Sequence, residues 1–212
     1  QRGLQILNNT PRPGLQQLKA VSGYAEKPVK TTGVGFHIGP RINVAGRLEK
    51  PDIALELIRA KSDGQAAQLA DELNRLNARR QALQREGMDE AEALVSREDL
   101  ARDQIVVVLG EWKLGIVGLL AGKLCEKHTR PAVVCSDDAG GGLYVGSARS
   151  IPAYDISRGI GSCADHLVAY GGHPAAAGFS LKAASFEAFR VQLIEHANSH
   201  IQEEDLQAEL DV

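Results

Sequence analysis

Residues 105–135 constrain the fold more than any other stretch of this chain. Ile105-Val-Val-Val-Leu109 is an unbroken apolar run, residues 115–128 carry helical periodicity, and Pro131-Ala-Val-Val-Cys135 is a second short apolar run. A strand, a helix and a strand joined by connections this short predict a parallel pair with a right-handed crossover. Residues 137–142 form a glycine-rich turn, after which Leu143 and Val145 begin a third strand that ends near Ala148 and pairs as a hairpin with the second. Residues 156–164 predict a helix, 175–181 a short strand and 185–200 a terminal helix. Residues 101–200 are therefore expected to be a small α/β domain: a mixed β-sheet with flanking helices.

The preceding residues have a different pattern. A short apolar helix is expected over 53–60, and Ser62 followed by Gln65 is a capping-box signature opening another. Leu69, Leu73, Leu76, Leu83 and Leu94 then recur at helical spacing to about Val95, opposite Asp71, Glu72, Arg75, Arg79, Arg80, Arg85 and Glu86. Such long linking helices can connect two bodies or lie on the surface of one. Residues 1–50 are poorly periodic, with a short helix expected over 12–21 and a loop over 30–39. No internal repeat is visible.

Composition bounds what the chain can do. Its 212 residues can bury a core, and 43% hydrophobic content fits a globular protein. Aromatics are only 4%, so a stacking platform for single-stranded nucleic acid is not evident. The formal charge of −3 means that any basic face is local. Acidic residues gather late, at Glu203, Glu204, Asp205, Glu209 and Asp211, as an acidic tail over 201–212. Cys125, Cys135 and Cys163 form no CxxC pair and suggest a reduced, cytoplasmic setting. No apolar run is long enough for a bilayer, and a chain that begins with Gln1 within a pattern reads as an excised piece.

Four segments can carry chemistry. In Gly39-Pro-Arg-Ile-Asn-Val-Ala-Gly-Arg47, Arg41 and Arg47 bracket Asn43 in what reads as a compact turn, suited to phosphate oxygens or to structural ion pairs. In Gly146-Ser-Ala-Arg-Ser-Ile-Pro152, Arg149 is flanked by Ser147 and Ser150, which can present an anion site, or a capping turn closed by Ser150 or Asp155. In Tyr170-Gly-Gly-His-Pro174, Gly171 and Gly172 permit unusual torsions and His173 is restricted by Pro174, as a ligand loop or a packed turn. Trp112 and Lys113 follow the first strand, where α/β sheets bind anions, although Trp112 fits equally as a cap on the core. His196 and His200 stand four apart on the last helix but without the protease metal motif. No cluster of Asp and His for a two-metal centre, no P-loop and no GxSxG elbow is present.

Taken in order, these segments resemble the RecJ family of single-strand-specific exonucleases, within the DHH phosphoesterase superfamily. GPRINVAGRL, from Gly39, resembles the family's PRINAAGR motif, and WKLGIVGLLAGKL, from Trp112, the start of its accessory DHHA1 domain. SARSIPAYDI and GGHPAAAGFSL resemble its GRS-IP and GGH motifs. The resemblance implies that residues 1–50 end a DHH catalytic domain, 51–100 are linking helices and 101–200 are DHHA1. It implies a 5′-to-3′ exonuclease of single-stranded DNA, acting in repair and recombination. Mn2+ or Mg2+ would be held by DHH motifs that precede this sequence, and the catalytic and metal residues would lie outside it. The implied partners are single-stranded DNA and single-strand-binding and recombination proteins, without a membrane. Carried over, Arg149 and His173 match positions facing the substrate backbone, and Arg41, Asn43 and Arg47 match a loop by the cleft. Lys113 and Leu114 replace the family's usual His and Pro, and Ala148 stands where Gly is common, which predicts a tighter approach near Arg149. The rival readings are an oligoribonuclease or nucleotide phosphatase of the same superfamily, and a non-catalytic partner-binding module.

Overall fold

The computed structural model describes residues 1–137 and 139–207. The acidic Glu209 and Asp211 thus lie outside the described residues. The chain divides into two compact units, Gln1–Leu83 and Gln84 onward.

The first unit is helical: α1 (Arg2–Asn8), α2 (Pro13–Val21), α3 (Thr31–Gly33), a π-helical turn (Val34–Ile38), α4 (Gly39–Leu48), α5 (Asp52–Arg59) and the beginning of α6 (Asp63–Ala93). Its core gathers Leu18, Ile38, Val44, Ala45, Leu57, Ala66, Ala70 and Leu73. Gly14 is required where α2 meets α5, because a Cβ there would lie 1.7 Å from the Leu57 carbonyl oxygen. The expected loop over 30–39 is instead helical, and the expected compact turn at Arg41 is α4. Gly and Pro read as breakers there, but Pro40 stands at the start of α4, where a missing N–H costs little. The π turn before it, with the Gly39 N–H donating to the Val34 carbonyl, relieves the clash a Pro makes with the carbonyl four residues earlier.

The Ser62 hydroxyl accepts from the Gln65 N–H at 3.4 Å, as the capping signature predicts, and α6 runs on through the long apolar stripe. The second unit takes its end together with α7 (Arg97–Arg102), which was not anticipated and is capped by Ser96 accepting from the Asp99 N–H at 2.9 Å.

The second unit is built on a mixed sheet in the order β1-β2-β3-β5-β4, comprising β1 (Val106–Gly110), β2 (Ala132–Ser136), β3 (Leu143–Arg149), β4 (Leu167–His173) and β5 (Ala176–Lys182). As predicted, β1 and β2 are parallel, joined through α8 (Leu114–His128), and β2 and β3 antiparallel. Strand β4 is the difference: residues 167–173 pair antiparallel with β5, so the segment read as a turn is the last strand of the sheet and His173 its final residue. Adjacent glycines hid it, since glycine is depleted in strands.

Alternation along the strands separates two faces. Val133, Cys135, Ala148, Phe179 and Leu181 meet α9 (Ile156–Ser162) and α10 (Phe186–His200) through Ile156, Ile160, Phe189, Leu193 and Ala197. Phe179 and Phe189 pack with ring centroids 4.8 Å apart. On the other face α8 lies against β2 and β3 and buries Ile116, Val117, Leu120, Ala121 and Leu124. Strand β4 is exposed from Val168 to His173. Among the described residues, no helix is long and apolar enough to cross a membrane.

Candidate functional site

The register of β3, β5 and β4 assembles a site on the α8 face. Ala176 pairs with Arg149 on one side and His173 on the other, while Gly178 pairs with Ser147 and Gly171. Arg149-Ala176-His173 and Ser147-Gly178-Gly171 are thus two rows running across three strands. At a strand spacing near 4.8 Å, the Cα atoms of Arg149 and His173 are about 10 Å apart. Between them in the row stands Ala176, with a methyl for its side chain.

The floor of the second row is bare backbone. A Cβ on Gly171 would meet nothing within 4 Å, and one on Gly178 only the Gly146 carbonyl oxygen at 3.9 Å. Gly172 has a different reason to be glycine: its Cβ would lie 2.4 Å from the Ala176 carbonyl oxygen and 2.6 Å from the Ala177 Cα. Of the glycine pair, Gly172 closes the hairpin and Gly171 leaves the face open.

Arg149 is positioned by neutral groups. Its Nη1 donates to the Ser147 hydroxyl at 3.2 Å and to the Ala148 carbonyl at 2.8 Å. The guanidinium lies against α8, where a Cβ on Gly118 would sit 3.2 Å from Nη2 and 3.1 Å from the Ser147 Oγ. Its charge reaches Cys125, whose thiol is pushed up to about 11 by burial and by Glu126 while Arg149 opposes them. A guanidinium bonded to a hydroxyl and a carbonyl keeps its full charge for an anion. Ala148, expected to tighten the approach here, does not: it is wholly buried on the core face, with its methyl directed away from Arg149.

The neighbouring candidates divide. Lys113 is exposed at the N-cap of α8, a helix of 15 residues whose positive end favours anions. Trp112 is corrected to a structural part: it is 3% exposed and its Nε1 donates to the Glu90 carboxylate at 2.7 Å. Its ring packs on Gly110 and Gly87, so it offers no surface for a base. Its carbonyl accepts from the Ser136 hydroxyl. Ser150 closes the turn after β3, its hydroxyl donating to the Tyr154 carbonyl at 2.7 Å, and Asp155 caps α9 by accepting from the Ser157 N–H at 3.0 Å. His196 and His200 stack at 4.1 Å, with His196 Nδ1 2.8 Å from the Tyr154 hydroxyl.

Arg41, Asn43 and Arg47 lie on α4, in the first unit. Arg41 donates from Nε to the Asn74 Oδ1 at 3.0 Å and from Nη1 to the His37 carbonyl at 2.8 Å. Burial holds its pKa below the usual guanidinium range. Asn43 and Arg47 are exposed. One residue of the sheet site escaped the sequence reading: Gly118, which is marked only by what lies opposite a helix face. The small side chains of residues 175–178 read as permitting close approach of a backbone, and Gly178 supplies that opening in register with Gly171.

Among the described residues, no group of three or more His, Cys, Asp or Glu comes together as a metal site. The residues gathered on the sheet face do not by themselves fit a metal centre.

Residues 103–199 match the model of the DHHA1 domain. The single-stranded-DNA-specific exonuclease RecJ of Bacillus subtilis is 38% identical over 203 residues, which cover 96% of this chain and 26% of that protein. The RecJ of Escherichia coli is 31% identical, over 94% of this chain and 36% of its own length. The crystal structure of RecJ in complex with Mn2+ from Thermus thermophilus superposes with a TM-score of 0.84 at 31% identity, covering 94% of this chain and 29% of that one. A further crystal structure, of exonuclease RecJ bound to manganese, gives 0.81 at 30% identity, over 97% of this chain and 50% of the other. The chain spans about a quarter to a third of the length of the curated relatives it matches.

Proposed function

From the premise that residues 103–199 are a DHHA1 domain and that the sequence is RecJ-like along most of its length, we propose that this chain belongs to a 5′-to-3′ exonuclease that hydrolyses single-stranded DNA in repair and recombination. Its part is to bind and orient the strand. The observation that carries this is the pairing that puts Arg149, His173, Ser147 and Gly171 on one open sheet face.

A sugar-phosphate backbone fits such a face physically. The bare floor at Gly171 and Gly178 lets a phosphate approach the sheet, and Arg149 supplies a planar donor pair for its oxygens. Ser147 and His173 add hydrogen-bonding groups on either side. Holding the scissile phosphodiester in one geometry is worth several orders of magnitude in rate. In the intact enzyme a divalent metal, Mn2+ or Mg2+, would supply the activated water, and the DHH motifs implied by the family resemblance would hold it.

Fluorescence anisotropy with a labelled single-stranded oligonucleotide at several salt concentrations tests the reading. Salt-sensitive binding, weakened by Arg149→Ala and by Gly171→Val in folded protein, is expected. Binding that ignores both substitutions overturns it. The domain parts implied by the family belong to the same proposal, with residues 1–50 ending the catalytic domain and 51–100 linking it to DHHA1. These 212 residues alone should therefore not degrade the oligonucleotide when Mn2+ is added.

A further inference from the structure

Helix α6 breaks its own apolar stripe at one position. Ala66, Ala70 and Leu73 are buried at the spacing of a core-facing stripe, and the next position in that rhythm is Asn77, a polar side chain only 4% exposed. Its Oδ1 accepts from Arg80 Nη2 at 2.9 Å. One turn earlier on the same helix, Asn74 holds Arg41 of α4 at 3.0 Å in the same manner. Two asparagines three residues apart thus each grip a guanidinium through a neutral oxygen, one from each helix. A buried polar residue that violates the pattern of its element is where function is to be sought.

Arg47 stands on α4, the helix that carries Arg41. The Arg80 pKa is lowered by burial and by the like charge of Arg47, and that of Arg41 by burial. Guanidinium groups of two helices, oriented through the amide oxygens of asparagines three residues apart, favour an anion with several oxygens in fixed geometry. We propose that Arg80, positioned by Asn77, joins Arg41 and Arg47 in a phosphate-binding cluster on α4 and α6, which takes a phosphodiester of a nucleic-acid strand. That the strand is the ligand rests on the function proposed above; that the cluster binds phosphate does not.

The test uses the whole chain and two probes. With a labelled oligo-dT, Arg80→Ala should lower the slope of log affinity against log salt by about 0.7, the contribution of one phosphate contact on a single strand. Arg80→Lys should retain most of the slope. Asn77→Asp keeps the side-chain volume but places a carboxylate beside Arg80, so the slope should fall as for Arg80→Ala while the melting temperature holds. A folded Arg80→Ala or Asn77→Asp with the wild-type slope overturns the proposal, since a merely structural role would move stability and not the salt dependence. Should the wild-type chain fail to bind the oligonucleotide, the strand-binding function falls, and inorganic phosphate then decides this cluster. A saturating shift of the Arg80 Nε–H NMR resonance, abolished by Asn77→Asp, supports it; no saturation rejects it.

Discussion

The two ends of the sheet are built for different ends. At β1 and β2 both faces are enclosed, and β2 has every residue buried from Ala132 to Ser136. At β5 and β4 one face meets α9 and α10, and β4 is exposed from Val168 to His173. An α/β sheet covered throughout has no room for a ligand, whereas one left open beyond a covering helix gains a shelf at that helix's flank. Here the shelf begins where α8 stops, with Arg149 against Gly118 at the boundary. The enclosed end should carry the stability and the open end the binding.

The largest effect expected is therefore in the enclosed half. Leu120→Ala truncates a fully buried side chain of α8, the helix that lies against β2 and β3, and should cost roughly 2–5 kcal/mol in urea unfolding. Val168→Ala on exposed β4 should change stability by about 0.5 kcal/mol or less. Equal losses at the two positions would break the comparison.

The adjacent glycines sharpen it. Gly172→Ala forces a methyl to within 2.4 Å of the Ala176 carbonyl oxygen and should destabilise by roughly 1–3 kcal/mol. Gly171→Ala meets open space and, being a strand position, should leave stability level or raise it by about 0.5 kcal/mol. For oligonucleotide binding the order reverses between folded variants: a side chain at Gly171 obstructs the shelf. Next in size, Arg149→Ala should weaken binding about tenfold, roughly 1.4 kcal/mol, with little change in melting temperature. Loss of folding instead of affinity would assign Arg149 to the scaffold.

How much of this was legible beforehand follows from the physics of each segment. Residues 105–135 were readable because a short apolar run, a periodic helix and a second run leave one topology. Residues 31–48 were not, since Gly35, Gly39 and Pro40 signal interruption, and a π turn absorbs a proline in a way no local pattern reveals. Strand β4 was hidden by the same glycines that make the site. Arg149 and His173 could be named from their neighbours, but that they flank Ala176 depends on a register between strands 24 residues apart, which only the folded sheet supplies. Trp112 stayed open between a ligand surface and a core cap because the end of β1 is where such sheets bind ligands, and Glu90, which holds its ring nitrogen, is 22 residues away.

The smallest effect tests whether α8 is fixed independently of the shelf it borders. Glu92 near the end of α6 reaches the far end of α8, 2.9 Å from Lys127 Nζ and 3.0 Å from His128 Nε2. Burial pushes the Glu92 carboxyl up, but the hydrogen bonds and charges of Lys127 and His128 outweigh it and leave the pKa below the usual carboxylate range. A depressed folded pKa contributes stability that is present above the unfolded value, near pH 4.3, and is lost as pH falls through the folded value. With Lys127 58% exposed the contribution should be modest, about 0.5–1 kcal/mol. Melting curves between pH 7 and pH 3 should show this loss, and Glu92→Gln should flatten the corresponding part of the profile. Hydrogen exchange at low pH should then rise in the last turns of α8 while β4, already exposed, stays as it was. A rise of equal size in β4 would mean that the shelf and the clamp are one cooperative element, and the division between the two ends of the sheet would not hold.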